Sequence, residues 1–258
     1  MTPMLVSCFF SAKKERDGQY DRLARVLAYT ARQHCPGWVV QITQIAPTLI
    51  APATGNPSHS WNSAKLDYWD AVVQAAPNGT PLLLMDADTI ILRPLDPIWD
   101  RSFDLAYTAR ERSRLPLNGG VVALRVSDQT KAAIRRWQQL NAAMLTNGPL
   151  HQPWHRKYAG MNQASFGCLL EEGGLADLSV VKLPCAEWNC CEWAAFTPAT
   201  RVVHIKSRLR RSVFGPTRGA SDLTDLVTRW RAVEAQVNLV EGRQARSARF
   251  VRREGISA

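Results

Sequence analysis

The chain has no hydrophobic stretch long enough to cross a bilayer. Its longest apolar runs, 81–85 and 89–92, are split by Asp86 and Asp88, and a spanning helix needs roughly 20 apolar residues. Residues 1–10 carry no basic residue before their apolar run and lead straight into Lys13 and Lys14, which is not the pattern of a secretory leader. Six cysteines (Cys8, Cys35, Cys168, Cys185, Cys190, Cys191) lack the paired short spacers of a tetrahedral zinc site. With no export signal, they are expected as free thiols in a reducing compartment. Internal repeats and low-complexity blocks are absent as well. Glycine is scarce after the first apolar run, where 11–18 holds only Gly18, too few for a glycine-rich phosphate loop. Integral membrane and secreted classes are therefore set aside, and the expected location is the cytoplasm.

What remains is an ordinary soluble composition. The 258 residues are 46% hydrophobic and 21% charged, enough for one large domain or a domain with an appendage. Charge is uneven. Residues 201–258 hold 13 basic and 5 acidic side chains, a net +8 of the overall +10. A near-neutral body with a basic final quarter predicts a polyanionic partner, with a solubilising tail as the plain alternative.

Periodicity predicts alternating strands and helices. Strands are expected at 4–10, 38–45, 81–85, 103–108, 121–124, 180–183 and 201–205, with a further apolar run at 89–92. Helices are expected from Tyr20 to Pro36, over 64–76 and 131–145, and after Ser221 as a cap, with Leu223, Leu226, Val227, Trp230 and Val233 on one stripe. Residues 47–60 are expected as a loop, and Asn118-Gly119-Gly120 as a turn. His151 and His155 are expected in a loop, because Pro153 between them argues against a shared helical face. The class is α/β with a largely parallel sheet.

Chemistry concentrates at Asp86-Ala87-Asp88. Two carboxylates one residue apart at the carboxyl end of a buried strand are costly unless a cation sits there. Ligands of open α/β sheets bind outside such strand ends. Carboxylate oxygens suit Mg²⁺ or Mn²⁺, which share coordination with substrate phosphates. His204, in the apolar strand around 202–205, is by itself an ordinary core histidine. Most of the nine tryptophans are core candidates, with Trp61, Trp154, Trp188 and Trp193 as possible stacking platforms.

Leu84-Met85-Asp86-Ala87-Asp88-Thr89-Ile90-Ile91 followed by Arg93-Pro94-Leu95-Asp96 resembles the Asp-x-Asp region of GT-A fold glycosyltransferases, nearest the family-8-like branch. Further matches follow in order: Lys65 before that strand, Asn118-Gly119-Gly120-Val121-Val122, Asn162-Gln163, Leu183-Pro184 with Trp188-Asn189, and Val203-His204-Ile205-Lys206. The resemblance spans roughly 4–210. It implies a GT-A catalytic domain over 1–215, a mixed and mostly parallel sheet flanked by helices, and a basic C-terminal helix and tail over 216–258. It also implies Mn²⁺ or Mg²⁺ on Asp86, Asp88 and His204. Lys65, Asp86, Asn118, Gly119, Gly120 and Lys206 would hold a nucleotide-diphospho-sugar, and Asp88, Asn162 and Gln163 would act at the reacting centre. Two departures stand out: Asn162 where many members have Asp, and Lys206-Ser207-Arg208-Leu209-Arg210-Arg211 in place of the glycine and Pro-Trp after the late histidine. Among these basic residues Lys206 is expected to matter most.

The leading expectation is a metal-dependent hexosyl or pentosyl transferase acting on a polyanionic acceptor. Arg208, Arg210, Arg211 and Arg218, extended by Arg243, Arg246, Arg249, Arg252 and Arg253, would hold that acceptor. A modified base in DNA, as phage glycosyltransferases use, ranks ahead of a bacterial envelope glycan or lipopolysaccharide. For the DNA acceptor the setting is a phage-infected bacterium. A nucleotidyltransferase or a non-catalytic nucleic-acid-binding protein are the remaining alternatives. Glu187 and Glu192 are the carboxylates available for a base, and the resemblance leans to retention of anomeric configuration.

Overall fold

The computed structural model describes residues 1–10, 18–46, 49–110, 116–191, 196–215 and 223–254, with 242–254 as backbone alone. The strands are β1 (Met4–Phe10), β2 (Val39–Ile45), β3 (Pro81–Asp86), β4 (Thr89–Ile91), β5 (Leu105–Ala109), β6 (Leu117–Arg125), β7 (Val180–Pro184) and β8 (Val202–His204). The helices are α1 (Gln19–His34), α2 (Pro57–Ala75), α3 (Asp128–Thr146), α4 (Gly148–Tyr158), α5 (Asn162–Glu171), α6 (Cys185–Trp188), α7 (Ser207–Phe214) and α8 (Thr224–Glu254). Among the described residues, no helix is long and apolar enough to cross a membrane.

Six strands form one mixed sheet in the order β2-β1-β3-β6-β5-β7. β6 runs antiparallel to both its neighbours, and the other pairings are parallel. The unbroken apolar runs have a simple cause. On β3, Leu82 and Leu84 face a core with Trp69 of α2 and Trp137 of α3, while Leu83 and Met85 face a second core with Leu27 of α1. Both faces are covered, so both sets of alternating side chains must be apolar. Val122 with Leu124 and Val121 with Ala123 repeat the division on β6.

β4 and β8 form a separate antiparallel pair with Thr89 opposite His204. A third core joins Val203 and Ile205 to Leu23 and Val26 of α1, Leu209 of α7, and Leu226, Val227 and Trp230 of α8. Each such fully buried apolar side chain contributes about 1.5–3 kcal/mol. The expected stripe on the last helix is therefore the face packed on α1, reinforced by Arg22 on Glu234 (2.6 Å) and Arg25 on Glu241 (2.8 Å). Ser221, expected as its cap, lies outside the described residues.

Three local expectations are corrected. Asn118-Gly119-Gly120 is not a turn but the start of β6, paired with β5 across a register shift at Tyr107/Thr108. α2 begins at Pro57, inside the expected loop. Asn56 caps it by accepting from the Ser58 N–H (3.1 Å), and proline fits a first turn whose N–H groups have no helical partner. His151 and His155 lie in α4 with Pro153 inside the helix, their ring centroids 5.0 Å apart. Pro153 sits in the middle of α4, where it forfeits the bond its N–H would have made to the Pro149 carbonyl.

Candidate active site

The carboxyl end of β3 and the start of β4 deliver the two acids. Asp86 is the last residue of β3, and Thr89 Oγ1 ties back to the Asp86 carbonyl (2.8 Å), tightening the Ala87-Asp88 link. The β4–β8 register places His204 against this link, and the Ile205 N–H donates to the Asp88 carbonyl (2.6 Å). His204 Nε2 stands 3.0 Å from Asp88 Oδ1 and 3.6 Å from Asp86 Oδ2. One ligand atom from each of Asp86, Asp88 and His204 lies within 4.8 Å of the others.

A network behind His204 sets its tautomer. The Asn118 carbonyl can only accept, so Asn189 turns its NH₂ toward it (3.3 Å) and toward Thr108 Oγ1 (3.0 Å). Asn189 Oδ1 then lies 3.0 Å from His204 Nδ1, which assigns the proton to Nδ1 and leaves the Nε2 lone pair facing the acids. An Nε2 lone pair aimed at two carboxylates is repulsive, so that nitrogen calls for positive charge: a proton, donated to Asp88 Oδ1 at 3.0 Å, or a metal ion in its place. Two oxygens and one imidazole suit a divalent ion such as Mn²⁺ or Mg²⁺.

Two side-chain cations already flank the pair. Lys65 Nζ bonds Asp86 Oδ1 and lies 4.5 Å from the centroid of the Trp69 ring. Arg210 of α7 bonds Asp88 Oδ2, donates to Tyr20 Oη (2.9 Å) and to the Ile205 carbonyl (2.9 Å). Burial alone would raise the Asp88 carboxyl, but His204, Arg210 and Lys206 outweigh it and hold Asp88 well below the usual carboxylate range.

Two adjoining cavities meet at Asn62, Lys65 and Asp86. One, of about 440 Å³, has an aromatic wall of Phe10 and Trp61, whose rings are 4.8 Å apart. The other, of about 240 Å³, is lined by Asn118, Gly119, Gly120, Asn162, Gln163 and Lys206 as well as His204. Gln163 Oε1 accepts from the Gly119 N–H (3.3 Å), and its NH₂ donates to the Tyr158 carbonyl (2.8 Å). Asn162 donates to the Asn62 carbonyl (2.8 Å), while its buried Oδ1 has no partner among the described residues. An unpaired buried amide oxygen is costly and calls for a partner that the described residues do not supply.

Gly120 answers to packing. A Cβ there would lie 2.7 Å from His204 Cε1 and 2.9 Å from Nδ1, so the imidazole occupies the room a side chain would need.

The structure thus brings together the residues that the resemblance assigned to the metal, the donor and the reacting centre: Lys65, Asp86, Asp88, Asn118, Gly119, Gly120, Asn162, Gln163, His204 and Lys206. Lys206 lies beyond β8, which ends at His204, and immediately precedes α7. Sequence reasoning missed Arg210 as the partner of Asp88, Tyr20 behind it, and Asn189 as the residue that orients His204. Arg210 stood in view among the basic residues after β8, but nothing local singled it out over Arg208 or Arg211, which are exposed. Of the other candidates, Trp188 is buried in the core and Glu187 is held by Arg201 (2.8 Å). Glu192, Trp193 and Arg218, with the side chains of Arg243, Arg246, Arg249, Arg252 and Arg253, lie outside the described residues.

No protein-family model and no curated protein matches the chain. Its structure is similar to a glycosyltransferase involved in glycosylation of the major capsid of PBCV-1, at TM-score 0.57 and 13% identity over 82% of this chain and 97% of that one. It is also similar to apo GlyE, a glycosyltransferase of Streptococcus pneumoniae TIGR4, at TM-score 0.60 and 11% identity over 94% of this chain and 64% of that one. A third similar structure is the galactosyltransferase LgtC in complex with donor and acceptor sugar analogs, at TM-score 0.56 and 11% identity over 90% and 95%. The mixed sheet, its flanking helices and the acids at the end of β3 are arranged on the GT-A glycosyltransferase fold.

Proposed function

We propose that the chain is a divalent-metal-dependent glycosyltransferase, of family-8-like type, that draws its sugar from a nucleotide-diphospho-sugar. The observation that carries this reading is the Asp86–Asp88–His204 cluster at the junction of two cavities. Asp86, Asp88 and His204 would hold the ion, which supplies positive charge against the diphosphate and its departing oxygen. Lys65 and Lys206 add fixed charge for the same phosphates. The aromatic wall of Phe10 and Trp61 suits the flat base, and the smaller cavity suits the sugar, with Asn162 and Gln163 positioning it.

Among the described residues lining the smaller cavity, Asp86 is the one carboxylate, and Lys65 engages it. A wall of amides without a spare carboxylate supports retention, since an inverting enzyme needs a base at the acceptor hydroxyl. Screening nucleotide-sugars with Mn²⁺ by thermal shift tests the donor reading. One donor should raise the melting temperature in an ion-dependent way and be slowly hydrolysed to nucleoside diphosphate. No response to any nucleotide-sugar, or turnover of nucleoside triphosphates instead, refutes it.

For the acceptor, exposed Arg208 and Arg211 on α7, close after His204, support an anionic partner. A modified base in DNA is one such acceptor, in a cytoplasmic setting. A glycan acceptor is favoured by a separate observation, the likeness to LgtC with its acceptor sugar analog. A salt series separates them: DNA binding should weaken with a log–log slope near −0.9 per phosphate contacted. Absence of salt-sensitive DNA binding removes the DNA acceptor and leaves the glycan.

A further inference from the structure

Two cysteines beside the site have no part in the reading above. Cys191 is half-buried and lines a cavity of about 220 Å³ with Lys206 and Arg208. Its sulfur receives the Arg110 Nη2–H at 3.2 Å and the Asn118 amide at 3.3 Å. The same amide lies 3.6 Å from the sulfur of buried Cys185. The Cys185 thiol donates to the Asn189 carbonyl (2.9 Å).

We infer that Cys191 and Cys185 are a reactive dithiol, with Cys191 the nucleophile toward small disulfides and other soft electrophiles and Cys185 the resolving thiol. N–H donors converge on one sulfur, and one of them, the Asn118 amide, also reaches the sulfur of Cys185. A cavity opens beside it, so an electrophile can reach it. The neighbouring Cys185 thiol, with Lys206 and Arg110 close by, pulls the Cys191 thiol down against the effect of burial. Cys8 and Cys168 are pushed the other way by burial, each to about 12, and Cys35 to about 11. The contrast is chemical: a thiolate attacks, and a buried thiol does not.

The reaction balances with a low-molecular-weight disulfide such as oxidised glutathione. The Cys191 thiolate attacks one sulfur, the small S–S bond breaks, one glutathione thiolate leaves, and a mixed disulfide forms on Cys191. Cys185 then releases its proton and attacks the Cys191 sulfur, expelling the second glutathione thiolate and closing the Cys185–Cys191 bond. The protein gives up two electrons and two protons, and the small disulfide becomes two thiols.

The bond would also reach the metal-binding side chains. Asn118 donates to both sulfurs, and its carbonyl receives the Asn189 amide that orients His204. Oxidation strips Asn118 and Arg110 of their anionic partner and loosens that support. This consequence, unlike the thiol chemistry, rests on the metal-site reading above.

The test uses the full chain. With limiting iodoacetamide at pH 7, peptide mapping should find Cys191 alkylated at least about tenfold faster than Cys8, Cys35 and Cys168. Oxidised glutathione should yield a Cys185–Cys191 peptide lighter by two hydrogens and restored by dithiothreitol. Cys185→Ser should stop at glutathione on Cys191, and Cys191→Ser should give neither product. Comparable labelling of all cysteines, or a bond from Cys191 to Cys190, overturns the inference, and both readings come from the unmutated protein. Oxidised protein should also bind Mn²⁺ at least about threefold more weakly by electron paramagnetic resonance. Equal affinity of the two forms overturns the link to His204, whereas absence of Mn²⁺ binding in the reduced form sinks the metal-site reading instead.

Discussion

Arg210 holds Asp88 by Oδ2, the oxygen turned away from His204, so one carboxylate is shared between a guanidinium and an imidazole. Arg210 reaches it from α7, across the Tyr20 ring at 4.9 Å. The pair neutralises an acid that would otherwise be costly to bury. It also makes Arg210 a competitor of any ion that uses Asp88. Arg210→Ala should therefore tighten Mn²⁺ binding in the absence of nucleotide, by about tenfold for one charge-assisted contact removed. Electron paramagnetic resonance of free Mn²⁺ measures this. Unchanged or weaker binding means Arg210 and the ion do not compete.

Asp88→Asn should keep the fold and lose donor hydrolysis by about 10²–10³-fold, the usual effect of removing one well-placed electrostatic group. Circular dichroism reports the fold, and nucleoside diphosphate release reports the activity. Full turnover in this variant, or turnover undiminished by excess chelator, contradicts the role given to Asp88.

The two glycines of β6 should behave differently. Gly120→Ala brings a methyl within 2.7 Å of the His204 ring, whereas at Gly119 the nearest atom, Gln163 Cγ, is 3.6 Å away, an ordinary contact. Gly120→Ala should lose about 1–3 kcal/mol of stability through overpacking and weaken Mn²⁺ binding. Gly119→Ala should stay near wild type in stability. Equal melting temperatures for the two variants would falsify the packing account.

Acid should loosen the contact between α2 and α4. His59, His151 and His155 cluster there with ring centroids 5.0–5.9 Å apart. Burial first, then the neighbouring imidazoles, lower His59; burial also lowers His151, partly offset by its bond to the Gly160 carbonyl. A folded state with lowered histidines binds fewer protons than the unfolded chain. Stability is therefore whole above the ordinary value of 6.5 and declines as pH falls through it toward the folded values. A His59→Gln, His151→Gln double variant should show a flatter melting-temperature profile between about pH 7 and 5. An identical pH dependence in variant and wild type counts against the cluster.

Lys65→Ala should weaken donor binding by about 1.5–3 kcal/mol, the range for one hydrogen bond to a charged group. Isothermal titration with the donor found by thermal shift gives the value. Unchanged affinity assigns Lys65 to holding Asp86 alone.

What the sequence determined by itself is local. The two-faced burial of β3 is written in consecutive Leu82, Leu83, Leu84 and Met85, and the abrupt change to Asp86 and Asp88 marks the strand end that carries the acid pair. The α8 stripe is equally local, since helical period alone sets which side chains share a face. Pattern did mislead where a neighbour mattered. Asn118-Gly119-Gly120 resembles a turn until β5 pairs with it, and Gly120 is explained only by the His204 ring pressed against it. Tertiary structure decided the rest. The Thr89–His204 register brings a histidine to acids more than a hundred residues earlier in the chain, and α7 then returns Arg210 to Asp88. Asn189 finds His204 across 15 residues, and Arg110 and Asn118 find Cys191 across 81 and 73. Such partners leave no period or spacing in the chain, because the long-range packing of separate elements chooses them.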